Sequence, residues 1–119
     1  MDVKEIYDAK ERLKGHIKET PVVYAPNLGE DVYLKVEVLQ DTGSFKLRGA
    51  YNKIATLTDE EAEKGVVACS AGNHAQGVAK SATERGIRSI ICMPYHAPLS
   101  KVQATRNYGA EVELVKDSF

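Results

Sequence analysis

The hydrophobic pattern of this chain changes period along its length, and the second half is the more regular. Val66–Cys69 is a short apolar run that follows Gly65 and stops at Ser70. Ala75–Glu84 has helical spacing, with Gly86 placed to close it. Ile87–Met93 is the next apolar run, and Pro94 and Pro98 bound the loop after it. Leu99–Tyr108 again reads as helix, closed by Gly109, and Glu111–Val115 as strand. Strands alternating with ten-residue helices predict parallel pairing through right-handed crossovers. The fold class is α/β: a doubly wound, three-layer parallel sheet with flanking helices.

The first half is less regular. Ile6, Ala9, Leu13 and Ile17 share one face at spacings of three and four, which predicts a helix over 4–18. Thr20-Pro21 ends it, because a residue before proline avoids the helical region. Pro26 and Gly29 mark loop, and Val32–Val38 alternates enough to read as a strand. Asp41-Thr42-Gly43-Ser44 is turn chemistry, with Ser44 placed to cap a helix over Phe45–Ala55. Thr58 followed by Glu61 is a capping box opening a short helix.

Composition narrows the function classes. The chain has 119 residues, 43% apolar and 28% charged, which is ordinary for one folded domain. Sixteen basic against seventeen acidic residues remove the electrostatic reason for a nucleic-acid partner. No apolar run is long enough for a membrane span, and the charged start lacks a signal-peptide core. Two cysteines make no disulfide scaffold and point to a reducing cytoplasm. Cys69 and Cys92, in apolar runs, read as small core residues. His16, His74 and His96 are not at metal-ligand spacing with them, and no metal site is expected. Asp59, Glu60, Glu61 and Glu63 read as a solvated helix start.

Two loops carry candidate chemistry, both where a strand leads into a helix. In Thr42–Ala50, Lys46 falls in the first helical turn, at the positive end of the dipole. A cation is disfavoured there, which favours the neutral amine, a nucleophile for an aldehyde. Phe45 beside it offers an apolar face. The alternative at that position is a solvated surface lysine. In Ser70–Gly77, Gly72 permits a tight turn and Asn73 can cap the helix. Free N–H groups at the helix start would form an anion site for carboxylate or phosphate. The alternative is an ordinary strand-to-helix turn. Arg48 reads as a structural residue that pairs with a carboxylate or positions the loop.

Taken together, Lys35-Val36-Glu37-Val38-Leu39-Gln40-Asp41-Thr42-Gly43-Ser44-Phe45-Lys46-Leu47-Arg48-Gly49-Ala50 and Ser70-Ala71-Gly72-Asn73-His74-Ala75-Gln76-Gly77-Val78-Ala79 resemble the paired signatures of the fold type II pyridoxal-phosphate (PLP) enzymes. Thr20-Pro21-Val22, Met93-Pro94, Ala97-Pro98, Lys101 and Tyr108–Val112 support the resemblance, which is closest to the serine/threonine dehydratase branch. It implies a cofactor, pyridoxal 5'-phosphate, attached through Lys46, with Phe45 packed beside it and Asn73 bonded to its ring hydroxyl oxygen. It implies that Ser70, Gly72, Asn73 and His74 bind the carboxylate of L-threonine or L-serine. The implied reaction is loss of water from the amino acid, giving a 2-oxo acid and ammonia. Serine racemases of the family carry a serine where this chain has Ala71, so the dehydratase is favoured over the racemase.

The resemblance further implies a front part of a longer enzyme. Residues 1–41 would be a helix and strand that pack on a large domain, and 42–119 an incomplete small domain carrying Lys46. The family's glycine-rich phosphate loop is not among these residues, so little or no activity is expected of the 119 residues alone. Ile6, Leu13, Ile17, Val22, Val23 and Val32 predict an apolar surface on the first segment, and with it a homo-oligomer. The competing readings are a non-catalytic, self-associating α/β fragment and a flavodoxin-like nucleotide binder. The second leaves Ser44-Phe45-Lys46 unexplained.

Overall fold

The computed structural model describes residues 2–116; the end of the chain to Phe119 lies outside them. The elements in order are α1 (Val3–Leu13), β1 (Val22–Tyr24), β2 (Tyr33–Lys35), α2 (Lys46–Ala55), α3 (Asp59–Lys64), β3 (Val66–Cys69), α4 (Asn73–Glu84), β4 (Ser89–Pro94), α5 (Leu99–Asn107) and β5 (Glu111–Val115). Strands β3, β4 and β5 form a parallel sheet in that spatial order. The expected class, a parallel sheet with flanking helices, is the one observed.

Alternation along the strands decides where the core sits. Ser89, Ile91 and Met93 of β4 point to one face and are buried there. Ala75, Val78, Ala79 and Ala82 of α4 cover that face with Val102 of α5, and Ala50 and Ile54 of α2 join the same core by packing on α4. The small side chains of α4 let α2 and the sheet approach it from two sides. Helices α2, α4 and α5 therefore lie on one side of the sheet, and the second helical layer that a doubly wound sheet carries is not among the described residues. The opposite face leaves Val67 69% exposed, Cys69 exposed, and Ile90 and Cys92 half-buried. The expectation of two core cysteines is corrected here: their strand positions have the parity of the open face.

Capping chemistry sets several ends as expected. Thr58 and Glu61 form a reciprocal capping box on α3. Helix α4 closes on Gly86, with the Ile87 N–H donating to the Ala82 carbonyl at 2.8 Å.

The first half departs from its reading in three places. Helix α1 stops at Leu13, well before Thr20, because the chain turns at Gly15 with φ +82°. Val22–Tyr24, to which the sequence pattern assigns no element, pairs antiparallel with β2 in the register Val23↔Leu34. The stretch read as one strand over 32–38 splits into β2 and a 3-10 turn at Glu37–Leu39. That turn aims the Glu37 carboxylate at α2. The expected apolar surface is present: Ile6, Val22 and Val23 are exposed, and Leu13, Ile17 and Val32 half-buried.

Candidate cofactor site

Lys46 is the first residue of α2, and its side chain is exposed. Ser44 is buried, and its Oγ accepts a long 3.4 Å hydrogen bond from the Lys46 N–H. The cap position itself is Phe45, whose backbone is already helical, so no side chain caps α2. Ser44 therefore supports the first turn from one residue further out than expected. Phe45 is 60% exposed, with the Lys46 Nζ 5.2 Å from its ring centroid. An amine and an aromatic face thus stand together at the start of one helix.

The second loop leaves β3 at Ser70, whose N–H still donates to the Cys92 carbonyl at 3.1 Å. The Ser70 Oγ then accepts from the Gly72 N–H at 3.3 Å. This tight turn brings the chain into helix at Asn73, two residues before the expected start. Asn73 is consequently the first helical residue rather than the cap. The cap is Gly72, and among the described residues no side chain satisfies the opening N–H groups of α4. The helix start is open to an anion, and the exposed Asn73 and His74 flank it.

Gly77 is what brings the two loops together. A Cβ built there would lie 3.4 Å from both the Lys46 carbonyl carbon and the Leu47 nitrogen, and 3.3 Å from the Ala50 Cβ. The first turn of α2 rests directly on the second turn of α4. Asn73 lies four residues before that contact, about 6 Å along the helix. Lys46, Phe45, Ser70, Gly72, Asn73 and His74 therefore share one edge of the molecule.

Sequence reasoning flagged Arg48 but not its partner. The Arg48 Nε donates to Glu37 Oε2 at 2.9 Å and its Nη2 to Glu37 Oε1 at 2.7 Å. The buried Thr20 hydroxyl also donates to the Glu37 carboxylate, and the Lys35 Nζ donates to the Thr20 carbonyl. These bonds tie residues 20–37 to the helix that carries Lys46. The Gln40 amide adds a second tie, accepting from the Lys18 N–H and donating to the Lys18 carbonyl, each at 2.9 Å. Asp41 adds a third, 2.7 Å from the Lys18 Nζ, while the Tyr108 hydroxyl donates to the Asp41 carbonyl at 2.8 Å. Eleven residues separate Glu37 from Arg48. The two residues lie on different elements, a 3-10 turn and α2, so only the fold reveals the pair.

The bidentate Arg48 guanidinium holds the Glu37 carboxyl well below its ordinary 4.5, at about 2, with the Thr20 hydroxyl acting in the same direction. A carboxylate depressed in the folded state stabilises fully above its unfolded pKa and loses that contribution as pH falls through the folded one. The Asp41 and Glu84 carboxyls are also lowered: Lys18 acts on Asp41, and His16 with Lys80 outweighs the cost of burial at Glu84. Stability is therefore expected to decline as pH drops from about 4.5 toward about 2. Urea titrations across that range check it; a flat profile would contradict the ion-pair assignment.

The side chains suit the chemistry of a phosphorylated aldehyde. They offer an exposed primary amine, an aromatic face, a carboxamide and an uncapped helix start. The pyridoxal-phosphate dependent enzyme family matches residues 13–119 of the chain. L-threonine ammonia-lyase of Thermotoga maritima is 52% identical over 121 residues, covering 98% of this chain and 30% of that protein. The catabolic L-threonine dehydratase TdcB of Escherichia coli K12 is 50% identical, over 98% of this chain and 37% of that protein. Among solved structures, maize serine racemase superposes with a TM-score of 0.93 at 38% identity, over 99% of this chain and 37% of that one. The chain thus spans about a third of the length of the curated relatives it matches. Its fold is that of the fold type II PLP enzymes, and the chain belongs to the pyridoxal-phosphate dependent enzyme family.

Proposed function

We propose that this chain is the N-terminal part of a PLP-dependent L-threonine/L-serine dehydratase. The observation that carries the reading is Lys46 at the start of α2, set by Gly77 against the uncapped helix α4. Identities of 50% and 52% to threonine dehydratase and ammonia-lyase support it. In this reading Lys46 attaches the cofactor, Phe45 packs beside the ring, and Asn73 donates to the ring hydroxyl oxygen. Ser70, Gly72, Asn73 and His74 receive the substrate carboxylate, with the open N–H groups of Asn73 and His74 at the helix start facing it. PLP, when bound, supplies the electron sink that makes the substrate Cα–H acidic. Lys46 removes that Cα proton as general base, and the β-hydroxyl leaves as water. Hydrolysis of the resulting enamine gives the 2-oxo acid and ammonia. Ala71 has no group that could hold or move a proton, so the site favours elimination over racemisation.

The same reading assigns residues 1–41 as a lead-in that packs on a large domain, and 42–119 as part of the small domain. It places the enzyme in the cytoplasm as a homo-oligomer. Exposed Val22, Val23, Tyr24, Tyr33 and Leu34 on the hairpin support association. The isolated 119 residues are expected to turn over little or no substrate.

A chimera tests the proposal. This chain replaces the matching segment of the Thermotoga maritima ammonia-lyase, and products from L-threonine and L-serine are identified. The expected products are the 2-oxo acids and ammonia, with Lys46→Ala lowering the rate about a thousandfold or more. A folded, cofactor-loaded chimera that forms no 2-oxo acid would overturn the reading. Formation of D-serine as the main product would replace it with a racemase.

A further inference from the structure

The open face of the sheet carries a dithiol that the reaction does not use. Cys69 of β3 and Cys92 of β4 are direct register partners on neighbouring parallel strands, and both are free thiols. Paired residues on adjacent strands point to the same face and lie about 4.8 Å apart along the hydrogen-bonding direction. That spacing falls inside the Cα range that a disulfide spans. Cys69 is exposed, and Cys92 is half-buried beside it. Burial and the neighbouring Cys69 sulfur both push the Cys92 thiol up. Cys69 immediately precedes Ser70, so the pair sits at the root of the anion-binding loop.

We propose that Cys69 and Cys92 are a redox modification site, closing to a cross-strand disulfide by exchange with a small disulfide such as oxidised glutathione. The more exposed Cys69 thiolate attacks one sulfur of the small disulfide, forms a mixed disulfide and releases one thiolate. The Cys92 thiolate then attacks the Cys69 sulfur, forms the internal bond and releases the second. Two protein thiols are oxidised, one small disulfide is reduced to two thiols, and the two protons pass to the departing thiolates.

The test incubates the 119-residue chain with oxidised glutathione and follows free thiols, intact mass and disulfide-linked peptides. Circular dichroism confirms that the chain stays folded. The expected result is loss of both thiols, a mass lower by two hydrogens, and a peptide linking Cys69 to Cys92. Excess reduced glutathione is expected to restore both thiols. Cys69→Ser is expected to stop at a single glutathione adduct on Cys92. Two glutathione adducts per chain, disulfide-linked dimers, or two unreacted thiols in the wild-type chain would each overturn the proposal.

Discussion

Glu37→Ala is expected to cost the folded chain about 3 kcal/mol, a large fraction of what a domain of this size has. The estimate follows from the Glu37 carboxyl lying at about 2 instead of 4.5 when folded, held mainly by the Arg48 guanidinium. Glu37 is only 13% exposed and Arg48 32%, so solvent screens the pair weakly. Among the described residues, removing the carboxylate leaves the Arg48 side chain with only a 3.5 Å contact to the Thr20 hydroxyl. It also strips the Thr20 hydroxyl of its acceptor. A partly buried cation without a partner costs more than the pair contributed, which is why truncating one member is severe. Equilibrium urea unfolding measures the effect. Glu37→Gln keeps the shape but not the charge, and its stability is expected to vary less between pH 4.5 and 2 than that of the wild type. Equal acid sensitivity in the two proteins would place the titrating group elsewhere.

Gly77→Val is expected to destabilise by about 1–3 kcal/mol and to move Lys46. A Cβ at 77 already meets Ala50 at 3.3 Å and the backbone around Lys46 at 3.4 Å. The two γ-carbons of valine need space that the first turn of α2 occupies. Alanine serves as the control. Its gain in helix propensity, about 1 kcal/mol over glycine, offsets the tight Cβ contact, so Gly77→Ala is expected near neutral. In the chimera, a displacement of α2 by about 1 Å is expected to lower turnover about a hundredfold for valine, far more than for alanine. A valine variant with unchanged turnover would show that the contact does not set the position of Lys46.

The second half of the fold was legible because each β-α unit is short and local. Apolar runs and the closing Gly86 lie within one turn of what they control, as does the box at Thr58 and Glu61 in the first half. The first half was less legible, since its structure depends on contacts far apart in sequence. Val22–Tyr24 is a strand only because Tyr33–Lys35 pairs with it. Val36–Val38 leaves the strand so that Glu37 reaches Arg48, a tie that no spacing announces. The site itself was legible as two loops, and the roles of Ser44 and Asn73 shifted by a residue because the helices begin where backbone angles allow. Parity along β3 and β4 put Cys69 and Cys92 on the open face, which apolar composition alone does not distinguish from the covered one.

The central claim is that Lys46, one of eleven lysines, is the residue that takes the cofactor. The most direct measurement loads the chimera with PLP, reduces it with borohydride and maps the pyridoxyl group by peptide mass spectrometry. A single label on Lys46, absent from Lys46→Ala, is the predicted result. A label on another lysine, or spread over several of them, would contradict the account.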